Sequence, residues 1–469
     1  MTSSTRTNNI SSLVESAWGI IIEFLVGFPP QKPDKDDIDC DWRPQNFSEH
    51  TPHLYDLIQL SGTCKRLRAL LAPRIFETIY LNNTVESATS IHAIILGGHS
   101  NHVKKLRFIG ICEQEQLSSP LEEVYPPEVH EILTHLSDFP NLRHLAVHFP
   151  FDYEALWSDG YFEGKLESSP EDALIQEQKN PWRGLMASSL NAVVTNNTLQ
   201  GDANLPLSFE LHHLGPVAVS TFKTPEFHGL LRRLTSFTLS LDPISNADYW
   251  QINTEPIFVE FVGCLGPWFI AHLHNIETLI LEAPESSPLG NTGHIHGIDI
   301  SLKQARMPRL RILTLRNIIV CTELSDFILR HLATLESITL QECYALNWDY
   351  TLSPSHIYWG ELFSKLADAC TSLSGMSSRS PTRLTHFHLC YDEPGIEKMV
   401  SVPGNFWQDL LVQAREKLAN EPDTRPFFYA NISEKWGGLV PDPKAVLEEF
   451  LDGQDYHCWK RLANVLKAN

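Results

Sequence analysis

Alternating histidine and cysteine side chains are the residues whose spacing comes closest to metal chemistry. His386, His388 and Cys390 occupy every second position, and Asp392 follows them. Alternate residues of a strand share one face and lie about 6.6 Å apart. Such a set holds a metal only with a fourth ligand and a curved strand. We therefore interpret it as a polar row on a binding face and expect no metal site.

A second metal-like pattern lies near the N-terminus. Asp37, Asp39 and Asp41 imitate the first ligands of a calcium loop. Such a loop needs glycine at its sixth place and glutamate at its twelfth, where this chain has Trp42 and Ser48. We interpret the run as a solvated charge cluster.

No catalytic constellation emerges from the remaining residues. The chain lacks a phosphate-binding loop, an H-E-x-x-H motif and a G-x-S-x-G motif. Cys64 lies on an apolar helical face, which is typical of a buried thiol rather than a nucleophile. His294 and His296 lie in a glycine-containing loop and are expected to be polar surface residues. We predict a protein that is not an enzyme and has no cofactor. An enzyme on a repeat-like α/β frame is the last-ranked alternative.

The charge balance restricts the class of partner. The 469 residues include 36 Lys and Arg and 57 Asp and Glu, for a formal net charge of −21. This sign disfavours nucleic acid and anionic membranes as partners, and the basic stripes are short, such as Lys65-Arg66 and Lys104-Lys105. Nine cysteines without a C-x-x-C pair favour reduced thiols in the cytoplasm or nucleus. We expect neither a signal peptide nor a membrane span.

Internal repeats carry most of the information about the fold. The pattern apolar-x-x-apolar-x-apolar starts at Val103, Leu142, Leu234, Ile276, Leu310, Leu335 and Leu384. The end of each copy has the period of a strand, and stretches with helical spacing precede several copies. The step of 92 residues between the second and third copies has room for another unit, since Leu207, Phe209 and Leu211 alternate there.

A repeated helix and short strand is the unit of a leucine-rich-repeat solenoid, whose units must stack to bury their apolar edges. We predict an α/β fold class with an irregular solenoid of this kind, a parallel sheet plus helices, over residues 81–400. Apolar stripes at helical spacing, such as Leu410 to Ala414 and Val446 to Leu451, predict a helical C-terminal cap over residues 401–469.

The N-terminal region has a different pattern. We predict a helical module over residues 1–80, with a disordered loop at 29–53 because that segment is rich in proline and aspartate. Pro73 is expected to end the second helix. The apolar helical positions before and after the loop are Leu13, Ile20, Ile21, Phe24, Leu57, Leu60, Cys64, Leu67 and Leu71.

The stretch LIQLSGTCKRLRALLAPRIFETIYL, from Leu57 to Leu81, resembles the second half of an F-box, as found in many fungal-type F-box proteins with leucine-rich repeats. The chain departs from that pattern in two respects: no Leu-Pro pair precedes Trp18, and the loop between the helices is a long insertion. The matching residues are Leu57, Leu60, Cys64, Lys65, Leu67, Arg68, Pro73 and Phe76.

The resemblance implies a substrate-recognition subunit of a Skp–cullin–F-box ubiquitin ligase. The partners would be a Skp-type adaptor, a cullin held through it, and a protein target of unknown identity. The alternative is a repeat scaffold with a vestigial F-box and no role in ubiquitin transfer. The implied adaptor contacts are Leu13, Ile20, Ile21, Phe24, Leu57, Leu60, Cys64 and Leu67.

Target recognition is expected on the sheet face that points away from the apolar core, because strand side chains alternate. Arginine and histidine on that face suit a polar or acidic peptide. A merely solvated sheet face is the alternative. The predicted target contacts are Lys105, Arg107, His144, His148, Thr278, Glu282, Thr314, Arg316, Thr339, Gln341, His386 and His388, with Thr238 and Ser240 on the same face.

Overall fold

The chain builds a nine-stranded parallel sheet whose strands follow one another in sequence order. The computed structural model describes residues 52–150, 166–167, 169–199, 207–242, 252–285, 287–290, 297–347, 356–374, 383–391, 407–433 and 435–468. The sheet consists of β1 (Thr78–Asn82), β2 (Lys105–Ile109), β3 (His144–His148), β4 (Ser208–Leu214), β5 (Ser236–Leu241), β6 (Thr278–Glu282), β7 (Ile312–Arg316), β8 (Ser337–Gln341) and β10 (His386–Cys390).

Helices connect most neighbouring strands of this sheet. They are α3 (Val85–Leu96), α4 (Leu121–Val124), α5 (Pro127–Thr134), α6 (Pro170–Lys179), α7 (Pro181–Leu199), α8 (Pro225–Arg233), α9 (Pro256–Trp268), α10 (Thr322–His331) and α11 (Trp359–Ser374). A parallel sheet in chain order with helical connections is an α/β architecture compatible with a solenoid, in which each unit packs on its neighbours.

The recurring apolar pattern explains the sheet register. Its first apolar residue is fully buried just before the strand, as at Val103 and Leu310. Its second pairs with the corresponding residue of the next strand, for example Leu279 with Leu313. The result is one continuous core. Its largest contribution to the stability of the fold is the removal of leucine and phenylalanine side chains from water, which stabilises the fold by about 1.5–3 kcal/mol for each side chain.

Two strands lie where the pattern is weak or absent. The alternation near Leu207 corresponds to β4, so the long step does contain a further unit. Strand β1 runs across residue 80, the boundary expected between the helical module and the solenoid, and pairs with β2 along its whole length. Its two inward residues, Ile79 and Leu81, are buried in the main core.

The helical segment before the sheet is a hairpin of two helices rather than one continuous helix. Helix α1 (Pro52–Thr63) and α2 (Lys65–Ile75) are separated by Cys64, which has extended backbone angles and whose Sγ accepts the amide N–H of Leu67. The expected end at Pro73 is wrong, because Pro73 lies inside the last turn of α2, where its missing N–H costs only one helical hydrogen bond.

The C-terminal segment contains strands as well as the expected helices. Helices α12 (Gln408–Asn420), α13 (Pro443–Asp452) and α14 (Gln454–Ala468) accompany β11 (Tyr429–Ile432) and β12 (Leu439–Pro441). Strand β11 pairs with β12 and with β9 (Ala345–Leu346) in a second, three-stranded sheet. The backbone carbonyl of Gly437 accepts the Asn253 side-chain amide at 2.7 Å, so this segment also contacts an earlier part of the chain, before β6.

Candidate functional site

The sheet face opposite the helices, here called the open face, carries the side chains that alternate with the core residues. The burial patterns of β2, β6 and β7 show the predicted alternation, with the second and fourth residues of each strand buried. Because the register is parallel, these side chains form rows across the sheet. One row includes Arg107, Glu210 and Thr238.

Accessibility differs along the open face. Lys105 and His386 are exposed near its two ends, and most of the other predicted target residues are partly exposed: Arg107, His144, His148, Thr278, Thr314, Arg316, Thr339 and His388. The expectation of open side chains fails for four residues, which are buried by tertiary contacts such as the pairing of Glu282 with Arg316. These residues are Thr238, Ser240, Glu282 and Gln341, each at most 7% exposed.

Glu210 on β4 organises the centre of the open face, and the sequence reasoning did not identify it. Its Oε1 lies 3.0 Å from Nε2 of His144, and its Oε2 lies 2.6 Å from Nε2 of His212. Burial alone would raise the pKa of this carboxyl. The two histidines donate to it and outweigh that effect, holding its pKa well below its ordinary value. A carboxylate thus fixes both imidazole rings.

A bulge in β4 adds a further histidine to this cluster. The register between β4 and β5 shifts between Leu211 and Leu214, and His213 there has a positive φ of 44°. The His213 ring lies 5.6 Å from that of His148. The bulge therefore brings His148, His212 and His213 together, which a two-residue period does not predict.

His148 is expected to make the stability of the fold depend on pH. Burial, with His213 and His212 nearby, lowers its pKa from 6.5 to about 3. The unfolded chain therefore binds this proton more readily, and the contribution of His148 is complete above pH 6.5 and declines as the pH falls toward 3. We expect the contribution of His148 to the free energy of unfolding to fall by about 1 kcal/mol per pH unit between pH 6.5 and 5.

The measurement is urea unfolding of the wild type and of His148→Gln across that interval. The variant should show a shallower slope, because glutamine does not titrate. Glu210 does not confuse the comparison, since its lowered pKa affects stability only below its ordinary value of 4.5. Equal slopes in the two proteins would contradict the assignment.

Next to the histidines, two predicted target residues pair with each other. Arg316 on β7 lies 3.3 Å from Glu282 on β6, and both side chains are at most 15% exposed. Burial raises the pKa of Glu282, and the neighbouring Arg316 opposes that rise. The charge of Arg316 is thus compensated within the sheet, which weakens the expectation that this arginine attracts an acidic peptide.

Two further histidines predicted as target contacts lie on β10. At the far end, the His386 and His388 rings lie nearly parallel, 5.8 Å apart. In the described part of the chain, no group of three or more histidine, cysteine or acidic residues has the arrangement to hold a metal ion. The Asp37 cluster, Asp392, His294 and His296 lie outside the described residues.

The helical hairpin places the predicted adaptor residues differently from the expectation. Leu57 and Leu67 are only 6% and 5% exposed, and Leu57 packs with Leu71, Leu60 and Ile75 in a small core of its own. Cys64 is exposed, contrary to its prediction as a buried thiol, because it caps α2 between the two helices. The four remaining predicted contacts, Leu13, Ile20, Ile21 and Phe24, lie outside the described residues.

Comparisons with known proteins do not assign the chain to a family. No protein-family model matches the chain, and no curated protein gives a significant match to it. None of the helices within the described ranges combines the length and the apolar character that crossing a membrane requires.

Proposed function

We propose that this protein is a substrate-recognition subunit of a Skp–cullin–F-box ubiquitin ligase, with an F-box-like hairpin followed by an irregular leucine-rich-repeat solenoid. The observation that carries the proposal is the direct succession of α1, α2 and β1, which joins a separate helical hairpin to the first strand of a nine-stranded sheet in chain order. In such a subunit the hairpin holds the adaptor and the sheet holds the target.

The separateness of the hairpin supports an adaptor-binding role. Its small core is distinct from the main core. Just after α2, the ring of Phe76 stacks on the ring of His99 with the two centroids 4.5 Å apart, and this contact joins the hairpin to the solenoid. Ile58 and Leu70 stay 46% and 37% exposed on it. Apolar side chains left outside a small core are what a helical partner buries.

Target binding on the open face raises the rate of ubiquitin transfer by proximity. Tethering a target near the ubiquitin-charged enzyme increases its effective concentration, so no catalytic residue is needed in this chain. A polar surface for a segment of a protein target is provided by Glu210 with His144 and His212, and by the Glu282–Arg316 pair.

The hairpin assignment predicts which substitutions remove adaptor binding. Ile58→Asp combined with Leu70→Asp should weaken binding of a purified Skp-type adaptor at least tenfold, because each carboxylate would be buried in the complex without a partner. Isothermal titration calorimetry with the full chain measures the effect. Leu96→Asp is the control, since Leu96 is 88% exposed at the end of α3. Undiminished binding by the double variant would contradict the assignment.

A scaffold with a vestigial F-box is the second candidate, and one observation favours it. Leu57 and Leu67 match the F-box pattern yet are only 6% and 5% exposed, and Leu57 lies in the small core of the hairpin. Neither side chain is therefore available to an adaptor. Leu57→Asp would then lower the stability of the hairpin rather than act on binding alone. The same calorimetric experiment separates the two candidates, because a scaffold gives no heat with the adaptor.

A further inference from the structure

A basic surface gathers at the N-terminal end of the described chain. Residues 52–110 contain seven Lys and Arg against three Asp and Glu, a net charge of +4. The whole chain carries −21, so the other residues carry −25. The basic residues of that segment lie mainly on α2 and at the start of β2.

The fold brings together two basic stripes that are 39 residues apart in the sequence. The carbonyl oxygen of Glu77, two residues after α2 ends, accepts the backbone amides of Lys104 and Lys105 at 2.9 and 3.0 Å. The short helical turn Ser100–His102 packs against α2. The chain just after the C-terminal end of α2 therefore lies beside the start of β2, and the short turn before β2 contacts α2.

Four cations of this surface have exposed side chains that are not neutralised. Within the described residues they have no ion pair or side-chain hydrogen bond, and we call them the basic surface: Lys65, Arg68 and Arg74 of α2 and Lys105 of β2. By contrast, Lys303 pairs with Asp299 and Lys365 with Glu361.

We propose that the basic surface docks an aspartate- and glutamate-rich segment of a partner protein. Charge complementarity supports this occupant, since exposed cations without an ion pair attract nearby carboxylates. Helix α2 is about 16 Å long. An extended segment of about five residues spans that length.

The acidic remainder of the chain argues against the other anionic partners. A nucleic acid carries closely spaced phosphates that continue beyond a short contact, and the −25 of the remaining chain repels them. An anionic membrane extends further still and meets the same repulsion. A short acidic segment of a folded or flexible protein contacts the basic surface alone.

The test is fluorescence anisotropy of the full chain with a labelled twelve-residue peptide of alternating Asp and Ser. At low salt this peptide should bind, and the matched Asn-Ser peptide should not. Arg68→Glu combined with Lys105→Glu should weaken binding at least tenfold. Raising the salt should weaken wild-type binding, because the charges are exposed.

The control variant is Lys460→Glu combined with Lys467→Glu on α14. It changes the net charge by the same amount as the Arg68→Glu, Lys105→Glu variant, at exposed positions on a different helix. It should bind the peptide within twofold of the wild type, and circular dichroism should show all variants folded. Absence of binding, an equal effect of both double variants, or tighter binding of a twelve-nucleotide RNA or of anionic vesicles would overturn the proposal. The adaptor titration is a separate readout: peptide binding without adaptor binding sustains this inference and contradicts the adaptor role.

Discussion

Arg183→Ala is expected to destabilise the protein by about 3–5 kcal/mol, because it leaves a carboxylate buried without its counter-ion. Arg183 lies near the start of α7 and is 1% exposed. Its Nη1 donates to Oε1 of Glu167 at 2.7 Å, and the Glu167 side chain is only 9% exposed. Chemical unfolding monitored by circular dichroism measures the loss.

Two controls separate the charge from the position. Lys104→Ala breaks an exposed ion pair with Glu77 and should cost less than about 1 kcal/mol. Arg183→Met combined with Glu167→Leu removes both charges together, and it should be more stable than Arg183→Met alone. If Arg183→Ala unfolds at the same denaturant concentration as Lys104→Ala, the buried pair does not stabilise the fold as described.

Asp455→Ala is expected to loosen α14 from α11 and β11 at a cost of about 3 kcal/mol, because two buried donors lose their acceptor. Asp455 is the second residue of α14 and is 4% exposed. Its Oδ1 accepts the backbone N–H of Gly360 at 2.7 Å, and its Oδ2 accepts the hydroxyl of Tyr429 at 2.6 Å. One carboxyl therefore joins α14, the start of α11 and β11.

Asparagine is the matched control at this position. Asp455→Asn keeps an oxygen for the Gly360 amide, and its side-chain amide donates to the Tyr429 hydroxyl, so most of the stability should remain. Hydrogen exchange should show faster exchange in α14 for the alanine variant than for the asparagine variant. Gly360 itself allows the close contact, since a Cβ there would lie 2.8 Å from Oδ1 of Asp455. Equal exchange rates in the two variants would contradict this role.

The repeated apolar pattern predicted the sheet well because its apolar positions are the residues that the fold buries. Each of the seven copies corresponds to a strand of the nine-stranded sheet, and its three apolar residues face the core. Alternation also placed Arg107, Thr314 and Arg316 on the open face. Both predictions depend only on the two-residue period of a strand, which any single strand displays.

Contacts between distant residues were beyond such reasoning. Glu210 was missed because β4 lacks the full repeat pattern, and nothing local shows that its two oxygens meet His144 and His212. The burial of Glu282 and Gln341 depends on tertiary contacts, such as that of Glu282 with Arg316, and not on alternation. The hairpin residues Leu57 and Leu67 followed a helical period correctly, but periodicity does not distinguish a face turned inward from one that binds a partner.

The most direct test of the adaptor role is affinity purification of the tagged full-length chain from native cells, followed by mass spectrometry of the recovered proteins. We expect a Skp-type adaptor and a cullin to be recovered with the wild-type chain. Both should be lost from the Ile58→Asp, Leu70→Asp double variant, while targets bound to the open face remain. Recovery of a different stable partner with neither the adaptor nor the cullin would contradict a role in ubiquitin transfer.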